Sequence, residues 1–429
     1  MKILILSLEA WRDDTNGGNV LSNILNGIDA ELAQIYCSAE KPKNTLCKHY
    51  FQITDAMALD NIRHRKEMGR EFFYDDQENC SELEWDEKIR NIKKKKSSWF
   101  LRLARQAVWG LSKYKNKKLQ KFIEDFNPDI IFAPCYASTY MLSLCRYIHK
   151  LTKKPIISYV SDDVYSLKHC NFSPIFWLNK FIVRHAVKKT WKLYSLVYTM
   201  SSIQKEYMER LKKPMKILCK SSSFDDFDKE KQIGTPITII YAGGTYENRW
   251  RTLCALTKEI KKINRDGCKI ILNVYTKCAL NKKAERILND QENAFVYPAI
   301  DYEELMKKYR EYDIALHAES FRLKDRLNVR MSFSTKIIDC LASGCAVMAI
   351  CDKKQGGGRY LNEQDAAICI QSLKKIRPTL NAIINDKNIL QTYRYKAFAC
   401  GEKNHQQRVI TAGIKEDFKK ILNNEELTL

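Results

Sequence analysis

The residues of this sequence best suited to chemistry lie in one charged stretch in the second half of the chain. It reads HAESFRLKDRLNVRMSFSTKIIDCLASGCAVMAI from His317, and an apolar strand pattern within it ends at Glu319. A basic loop follows, which carries Arg322, Lys324, Arg326 and Arg330. Cations pair with phosphate oxygens, and carboxylates accept hydrogen bonds from sugar hydroxyls. The stretch therefore predicts a site for a nucleoside diphosphate sugar.

The helix pattern after this loop adds further polar residues to the predicted site. Ser334 or Thr335 could cap the helix, and Gly344 predicts its end. Lys336 and Asp339 stand three residues apart, which places both on one face near the helix start. In the alternative interpretation, the helix is merely amphipathic and Lys336 pairs with Asp339. That alternative would account for any one of these charged residues taken alone. The complete set of cations and carboxylates, however, favours a binding site.

A glycine pair follows the first predicted strand of the second half. Gly243 and Gly244 leave this strand, and Arg249 comes just before the next helix pattern. Such a loop brings backbone amides and a guanidinium to the carboxyl end of a parallel sheet, where phosphate-bearing ligands bind. The alternative is that Arg249 is a solvated surface residue.

A second glycine pair, Gly17 and Gly18, follows the first strand of the chain, in a loop that precedes a helix pattern from Val20. It predicts a loop that contacts the acceptor or a phosphate. The spacing is not that of GxGxxG, so the dinucleotide fingerprint is absent. A bare structural turn is the alternative.

The elements that must position these residues alternate between short apolar runs and longer helix patterns, which is typical of parallel sheets built from βαβ units. The predicted strands cover 2–8, 129–133, 155–160 and 196–199, then 237–241, 269–275, 294–297, 313–317 and 345–350. A polar stretch at 221–236 separates the two series. The chain has 429 residues, a length that suits two domains.

We therefore expect an α/β protein with an N-terminal domain over 1–225, which contains an insertion at about 62–128 and to which a family resemblance assigns acceptor binding. A linker over 226–236 leads to a C-terminal nucleotide-sugar-binding domain over 237–400. Residues 401–429 are predicted to form a helix that could cross back to the N-terminal domain.

Bulk composition narrows the class of protein. The apolar run in MKILILSLEA is too short for a secretion signal, and no stretch is long and apolar enough to span a membrane. The fifteen cysteines show no CxxC pair. They are interpreted as reduced thiols of a cytoplasmic protein, without a metal site. The net charge of +22 indicates polyanionic surroundings, which could be nucleic acid, a phospholipid surface or phosphorylated substrates.

Two basic, aromatic segments raise the question of membrane binding. KKKKSSWFLRLARQAVWGL combines Lys93 to Lys96 with Trp99, Phe100, Leu103 and Trp109 at spacings that suit an amphipathic helix. A second segment, PIFWLNKFIVRHAVKKTWKLYSL, starts at Pro174. The pattern is typical of a helix on an anionic membrane surface, which would make the protein peripheral on the inner face of the membrane. A solvated charge run before a core helix remains the alternative.

The stretch ESF…STKIIDCLASGCAVMA resembles the donor-site signature of glycosyltransferase family 4 and related retaining enzymes of the GT-B fold. YAGGTYENRW is similar to the loop that opens their donor domain, and NGGNV to their N-terminal glycine-rich loop. The resemblance implies two doubly wound, Rossmann-like domains facing across a cleft. It also implies transfer of a sugar from a nucleoside diphosphate sugar to a hydroxyl of a lipid-linked or cell-envelope glycan.

Carried over, the resemblance assigns Glu319 to the acid that contacts sugar hydroxyls and Asp339 to the acid that holds the ribose. Arg249 would stand near the diphosphate-binding lysine. Asp162 or Asp163, after the strand at 155–160, would orient an acceptor hydroxyl or the donor C6 hydroxyl, with helix capping as the alternative.

The chain departs from the family pattern in three respects. Nineteen residues separate Glu319 from Asp339, where seven are usual, and the second acid is Asp in place of Glu. Gly244 occupies the position of a family arginine, so the missing cation would come from Arg330 or Lys336. No metal or other cofactor is implied.

Two rival functions remain from the sequence. A nucleotide-sugar epimerase shares the GT-B fold and needs no acceptor. A nucleic-acid-binding protein would account for the charge, but the sequence has no recognition motif and its cations are dispersed, so no nucleic-acid partner is expected.

Overall fold

A computed structural model describes residues 1–75 and 99–427, which form two compact α/β units. Unit 1 comprises Met1–Met200, Lys205–Leu218 and Thr411–Leu429, and unit 2 comprises Ser201–Gln204 and Cys219–Ile410. The end of the chain therefore belongs with unit 1. There, Asp417 accepts a hydrogen bond of 2.7 Å from the Tyr198 hydroxyl and forms an ion pair with Lys216.

Within the described residues, unit 1 is built on an eight-stranded sheet in the order β4-β3-β2-β1-β5-β6-β7-β8. All neighbouring strands are parallel except β3 and β4. The strands are β1 (Lys2–Ser7), β2 (Glu31–Tyr36), β3 (His49–Gln52), β4 (Arg70–Phe73), β5 (Ile130–Phe132), β6 (Ile156–Val160), β7 (Tyr194–Thr199) and β8 (Met215–Ile217). The central strands are continuous apolar runs because helices cover parallel sheets on both faces.

The helices described before residue 200 are α1 (Asn16–Leu25), α2 (Asp55–His64), α3 (Trp99–Leu111), α4 (Lys117–Phe126), α5 (Thr139–Thr152) and α6 (Pro174–Trp191). A short helix, α7 (Ser202–Met208), follows. β4, α3 and α4 belong to the predicted insertion, and their side chains Trp109 and Phe122 lie in the same core as β1 and β5. The described parts of the insertion are thus integral to unit 1.

Unit 2 has a parallel sheet that shows six strands in the described chain, ordered β11-β10-β9-β12-β13-β14. They are β9 (Ile237–Ala242), β10 (Ile270–Tyr275), β11 (Ala294–Tyr297), β12 (Ile314–Ala318), β13 (Ala346–Ile350) and β14 (Ile368–Ile370). Numbered from β9, this is the 3-2-1-4-5-6 order of doubly wound nucleotide-binding sheets. The strand order reverses between β9 and β12, so ligands are expected beyond the carboxyl ends of these two strands.

Eight α-helices of the described chain belong to unit 2 from residue 249 onwards. They are α8 (Arg249–Ile263), α9 (Lys282–Leu288), α10 (Tyr302–Tyr309), α11 (Leu323–Asn328), α12 (Lys336–Ala342), α13 (Gly356–Glu363), α14 (Ile376–Asn385) and α15 (Asn388–His405). The last helix of the chain is α16 (Gln407–Leu422). The prediction of two Rossmann-like α/β domains is confirmed.

The polar stretch after β8 is anchored to the body of unit 2 by a buried arginine. Arg394 in α15 is fully buried and donates to the backbone carbonyls of Asp228, Lys231 and Gly344 at 2.6, 2.9 and 2.8 Å. The segment predicted as a linker is therefore a packed part of unit 2. In the described part of the chain, no helix has the length and apolar character needed to cross a bilayer.

Candidate functional site

Several of the predicted site residues lie where the strand order of the unit 2 sheet reverses, between β9 and β12. Gly243 directly follows β9, and Glu319 directly follows β12, the neighbouring strand. Arg249 and Lys336 are the first residues of α8 and α12. Both helix starts lie at the carboxyl edge of the sheet, because each helix follows a parallel strand. The sequence segments around 243 and 319 thus meet at this edge of the sheet.

Gly243 makes room for the Lys336 ammonium, which lies against it. A Cβ atom at residue 243 would overlap Nζ of Lys336. A Cβ at Gly244 would overlap the ring of Tyr246, and the Gly244 carbonyl accepts a 2.8 Å hydrogen bond from the Tyr241 hydroxyl. The glycine pair thus makes room for a cation on one side and an aromatic ring on the other.

The Lys336 ammonium is held in an environment that opposes its charge. Burial and the nearby Arg249 lower its pKa to about 8, although Glu319 and Asp339 act in the opposite direction. A buried cation beside another cation is stabilised by an anionic ligand. The position is therefore suited to a phosphate group.

Arg249 and Glu319 form a two-pronged ion pair. Nε and Nη2 of Arg249 donate to Oε2 and Oε1 of Glu319 at 2.8 and 2.9 Å, and both side chains are largely buried. The Thr252 hydroxyl also holds the backbone of Glu319, by donating to its carbonyl at 2.7 Å. Both carboxylate oxygens of Glu319 are engaged by Arg249, so the carboxylate holds the guanidinium in place. The guanidinium also lies over the ring of Tyr246, 4.8 Å from its centre.

His317, which the sequence did not single out, is buried beside this ion pair. Its Nε2 lies 3.9 Å from Oε1 of Glu319. Burial, together with the positive charges of Arg249 and Lys336, lowers its pKa to about 4. The imidazole is therefore neutral at physiological pH.

Asp339 has a different partner from the one that helix spacing suggested. Its Oδ1 accepts from Nζ of Lys220 at 2.7 Å, and both side chains are buried. Nζ of Lys220 also lies 4.5 Å from the ring centre of Tyr302. The alternative in which Asp339 simply pairs with Lys336 is therefore wrong. Lys220 lies just before the polar stretch, and nothing in its local sequence indicated this contact.

The basic loop between Glu319 and Asp339 is ordered by a buried acid. Asp325 in α11 accepts from Asn248 at 2.9 Å and from Ser320 at 2.7 Å. Arg326 forms an ion pair with Asp352. The loop is thus a short helix tied to the start of α8.

Three other predicted site residues lie in the segment that leads into α12. They are Arg330, Ser334 and Thr335. The carbonyl of Arg330 accepts from the Gly356 amide at 3.0 Å, and the carbonyl of Ser334 accepts from Ile337 at 3.0 Å. The side chain of Thr335 makes no capping hydrogen bond with α12, because its backbone is already helical. The predicted side-chain cap at Thr335 is therefore wrong.

Three consecutive glycines, which were not among the predicted site residues, lie at the start of α13. Cβ atoms at Gly356, Gly357 and Gly358 would approach Ser332 O at 2.8 Å, a methyl of Ile337, and Asp352 O at 2.7 Å. A Cβ at Gly357 would lie 3.8 Å from Nε2 of His317. The run of glycines in the sequence is the signal that could have indicated this close packing against α12 and β12.

In unit 1, the predicted glycine loop is the first turn of a helix. α1 begins at Asn16, so Gly17 and Gly18 lie inside it, and Thr15 caps it by accepting from the Gly18 amide at 3.2 Å. A Cβ at Gly18 would overlap the backbone of Arg12. The prediction that the helix starts near Val20 is therefore wrong. The glycines still place a helix N-terminus after β1.

The two aspartates after β6 have different environments. Asp162 is exposed, whereas the Asp163 side chain is buried and accepts from the Ser166 amide at 2.7 Å. Both lie in a loop well before α6, which is capped by Ser173, so the alternative of helix capping is wrong. Asp163 holds the loop, and Asp162 is an exposed residue.

Comparison with known proteins found solved structures of similar fold, but no protein of similar sequence. The sequence matches no protein-family model, and no curated protein matches it. A solved structure of Anabaena HepE in complex with UDP-glucose has a TM-score of 0.61 at 12% identity, over 98% of this chain and 100% of that one. An α,α-trehalose-phosphate synthase (UDP-forming) from Burkholderia vietnamiensis has a TM-score of 0.56 at 10% identity, over 98% and 100% of the two chains.

A third similar structure is the pneumococcal O-GlcNAc transferase GtfA in complex with UDP and GlcNAc. Its TM-score is 0.51 at 11% identity, over 72% of this chain and 60% of GtfA. These neighbours are GT-B glycosyltransferases. The chain therefore has the GT-B fold.

Proposed function

We propose that this chain is a retaining glycosyltransferase that transfers a sugar from a nucleoside diphosphate sugar to a hydroxyl group of an acceptor. The observation that carries the proposal is the pair of cations, Lys336 and Arg249, beside Gly243 at the reversal point of the unit 2 sheet. The GT-B fold adds support, because solved structures with this fold hold UDP or UDP-glucose.

The donor would be held mainly by unit 2. The Lys336 ammonium and the Arg249 guanidinium would bind the diphosphate, helped by amides of the Gly243 and Gly244 loop and by the start of α12. Asp339 would accept hydrogen bonds from the ribose hydroxyls. Arg330, Ser334 and Thr335 would line the approach to this site. Glu319 would act chiefly by fixing Arg249, which differs from the direct sugar contact that the family resemblance implies.

In the proposed reaction, the acceptor oxygen attacks C1 of the sugar on the face from which the diphosphate departs. The bond between C1 and the phosphate oxygen breaks as the bond between C1 and the acceptor oxygen forms. The acceptor proton passes to the leaving diphosphate oxygen. Orientation and stabilisation of the developing negative charge then account for catalysis, so the cations Lys336 and Arg249 have the largest role.

The acceptor would be recognised by unit 1. We propose that Asp162 orients an acceptor hydroxyl or the C6 hydroxyl of the donor sugar, because it is an exposed residue after β6. Gly17 and Gly18 would supply amides from the start of α1. A lipid-linked or cell-envelope glycan is the acceptor class that we propose.

The proposal is tested first by donor binding. Isothermal titration of UDP, UDP-glucose and a panel of other nucleoside diphosphate sugars should give saturable binding of at least one of them. Lys336→Met should weaken it roughly tenfold to a hundredfold, the cost of losing a charged hydrogen bond to phosphate. Lys282→Met is the matched control, because Lys282 also begins a helix of unit 2 but is exposed. Absence of binding by every sugar nucleotide would refute the proposal.

A second experiment tests the reaction. The bound donor is incubated with and without glycan acceptors, and proton NMR of the product determines the anomeric configuration. We expect a product only with an acceptor, and with the donor configuration retained. Rearrangement of the sugar nucleotide without an acceptor would instead establish an epimerase.

A further inference from the structure

Helix α6 presents an apolar stripe to solvent. Ile175, Leu178, Phe181 and Ile182 recur at helical spacing on one side of it and are exposed, Leu178 by 52% and Phe181 by 54%. Phe172, in the loop just before the helix, is 96% exposed. We call these five residues the α6 apolar face. A contiguous exposed apolar patch on a protein surface usually marks an interaction site.

The core-facing side of the same helix is already occupied. Val183, Val187 and Trp191 are buried in the core of unit 1. The α6 apolar face is thus additional to the side that stabilises the fold. A helix that needed only to cover the sheet would carry polar residues at these outward positions.

The stripe becomes cationic towards the end of the helix. Lys188 and Lys189 continue the same exposed line after Phe181 and Ile182. No aspartate or glutamate occurs in α6 or in α3. An apolar surface that continues into cations, without acidic residues, is complementary to the boundary between lipid tails and anionic headgroups.

Helix α3 packs beside the start of α6. Trp99 packs edge-on against Phe176, with ring centres 4.6 Å apart, and the guanidinium of Arg102 lies 4.5 Å from the Trp99 ring centre. A hydrogen bond from Gln106 to Asn179 joins the two helices. Phe100, beside Trp99, is 64% exposed.

We propose that the α6 apolar face docks on an anionic lipid bilayer. Phe172, Leu178 and Phe181 would enter the headgroup region, and Lys188 and Lys189 would contact lipid phosphates. Charge complementarity favours a bilayer over a second copy of the chain, because two copies joined at this surface would bring like charges together. Docking is independent of the proposed transfer reaction, although it would bring a lipid-linked acceptor within reach of the enzyme.

Apart from Phe172, the proposed docking surface lies in the second of the two basic, aromatic segments of the sequence, the one that starts at Pro174. Lys93 to Lys96 lie outside the described residues, and Trp109 is fully buried, where its indole donates to Asp55 at 2.7 Å. Of the first segment, Phe100 and Arg102 are exposed.

Vesicle co-sedimentation tests the proposal with the full chain. The wild type should bind phosphatidylglycerol-containing vesicles at least about tenfold better than pure phosphatidylcholine vesicles, and added salt should reduce binding. Phe172→Ser/Phe181→Ser should reduce binding to the anionic vesicles about tenfold or more, since two inserted aromatic side chains are lost. Val409→Ser, at another exposed apolar residue, should change nothing.

A charge-reversal pair separates electrostatic attraction from apolar insertion. Lys188→Glu/Lys189→Glu should abolish the preference for anionic vesicles, whereas Lys117→Glu/Lys121→Glu, at two exposed lysines of α4, should retain most of it. Wild-type binding that is absent, or unaffected by either α6 variant, would overturn the proposal. So would a wild-type dimer in sedimentation equilibrium that the Phe172→Ser/Phe181→Ser variant dissociates. Unchanged UDP binding and thermal unfolding in each variant would show that its fold is intact.

Discussion

The ammonium of Lys336 occupies the space that a Cβ atom at residue 243 would fill. A glycine after β9 and a lysine at the start of α12, ninety-three positions later in the sequence (336 − 243), therefore depend on each other. Any side chain at 243 must push the ammonium away from the carboxyl edge of the sheet. The loop conformation and the proposed cation site are thus one feature.

This relationship predicts the effect of Gly243→Ala on donor binding. We expect UDP affinity to fall roughly tenfold to a hundredfold, close to the loss caused by Lys336→Met. The double variant should be little worse than either single one, since both changes remove the same contact. Gly413→Ala, in a helix where a Cβ has open space, is the control. Fully additive losses, measured by calorimetry, would contradict the dependence of Lys336 on Gly243.

Donor affinity should depend on pH through Lys336. The pKa of this ammonium is lowered to about 8, so it is protonated below that pH and loses its charge above it. UDP affinity should therefore fall as the pH rises through about 8, by an amount that approaches tenfold per pH unit once the unprotonated form dominates. Lys336→Arg keeps its charge over this range and should show a flat profile between pH 7 and 9.5. The same slope in both proteins would assign the titration to another group.

The Arg249 and Glu319 pair predicts how Glu319→Gln will act. If Glu319 mainly holds Arg249, the variant should lose affinity for UDP and for the sugar nucleotide by the same factor, about tenfold. A direct contact with sugar hydroxyls would instead weaken the sugar nucleotide alone. Calorimetric titration of both ligands distinguishes the two roles. Glu259→Gln, at a partly exposed acid of α8, is the control.

Removing either partner of the buried Lys220 and Asp339 pair should destabilise unit 2. Asp339→Asn leaves the Lys220 ammonium buried without its counter-charge, a change that costs about 3–5 kcal/mol. Lys220→Met/Asp339→Asn should recover much of this loss in urea unfolding. The double variant is therefore suited to testing ribose recognition, and we expect it to bind UDP and 2′-deoxy-UDP equally. Retained preference for UDP would exclude Asp339 from ribose binding.

Acid should destabilise the protein through two buried histidines. Burial lowers the pKa of His317 and of His405 to about 4, whereas the unfolded chain titrates near the ordinary value of 6.5. Between these values the unfolded state binds more protons, so stability is lost as the pH falls from about 6.5 to 4. The loss approaches about 2–3 kcal/mol for each histidine. Urea unfolding of His405→Gln should show a shallower pH dependence than unfolding of His64→Gln, at an exposed residue.

The sequence was most informative where a property is local. Strand and helix alternation predicted both Rossmann-like sheets, because burial on both faces requires continuous apolar runs. The glycine pair after β9 and the lysine at the start of α12 were likewise visible, since both stand at strand and helix boundaries. Helix spacing did not predict which apolar residues are buried and which are exposed, because packing decides which face of a helix meets the core. Trp109 is buried, although its segment looked interfacial, whereas the outward residues of α6 are exposed.

The sequence by itself determined the fold class, the place of the glycine turns and the residue types available to bind a sugar nucleotide. Only the tertiary structure decided which charges meet. Arg249 pairs with Glu319 across 70 positions, and Lys220 pairs with Asp339 across 119. Such contacts depend on the strand order of the sheet, which brings β9 beside β12. Local propensity is set by neighbouring residues, whereas the partner of a buried charge is set by how distant segments close around it.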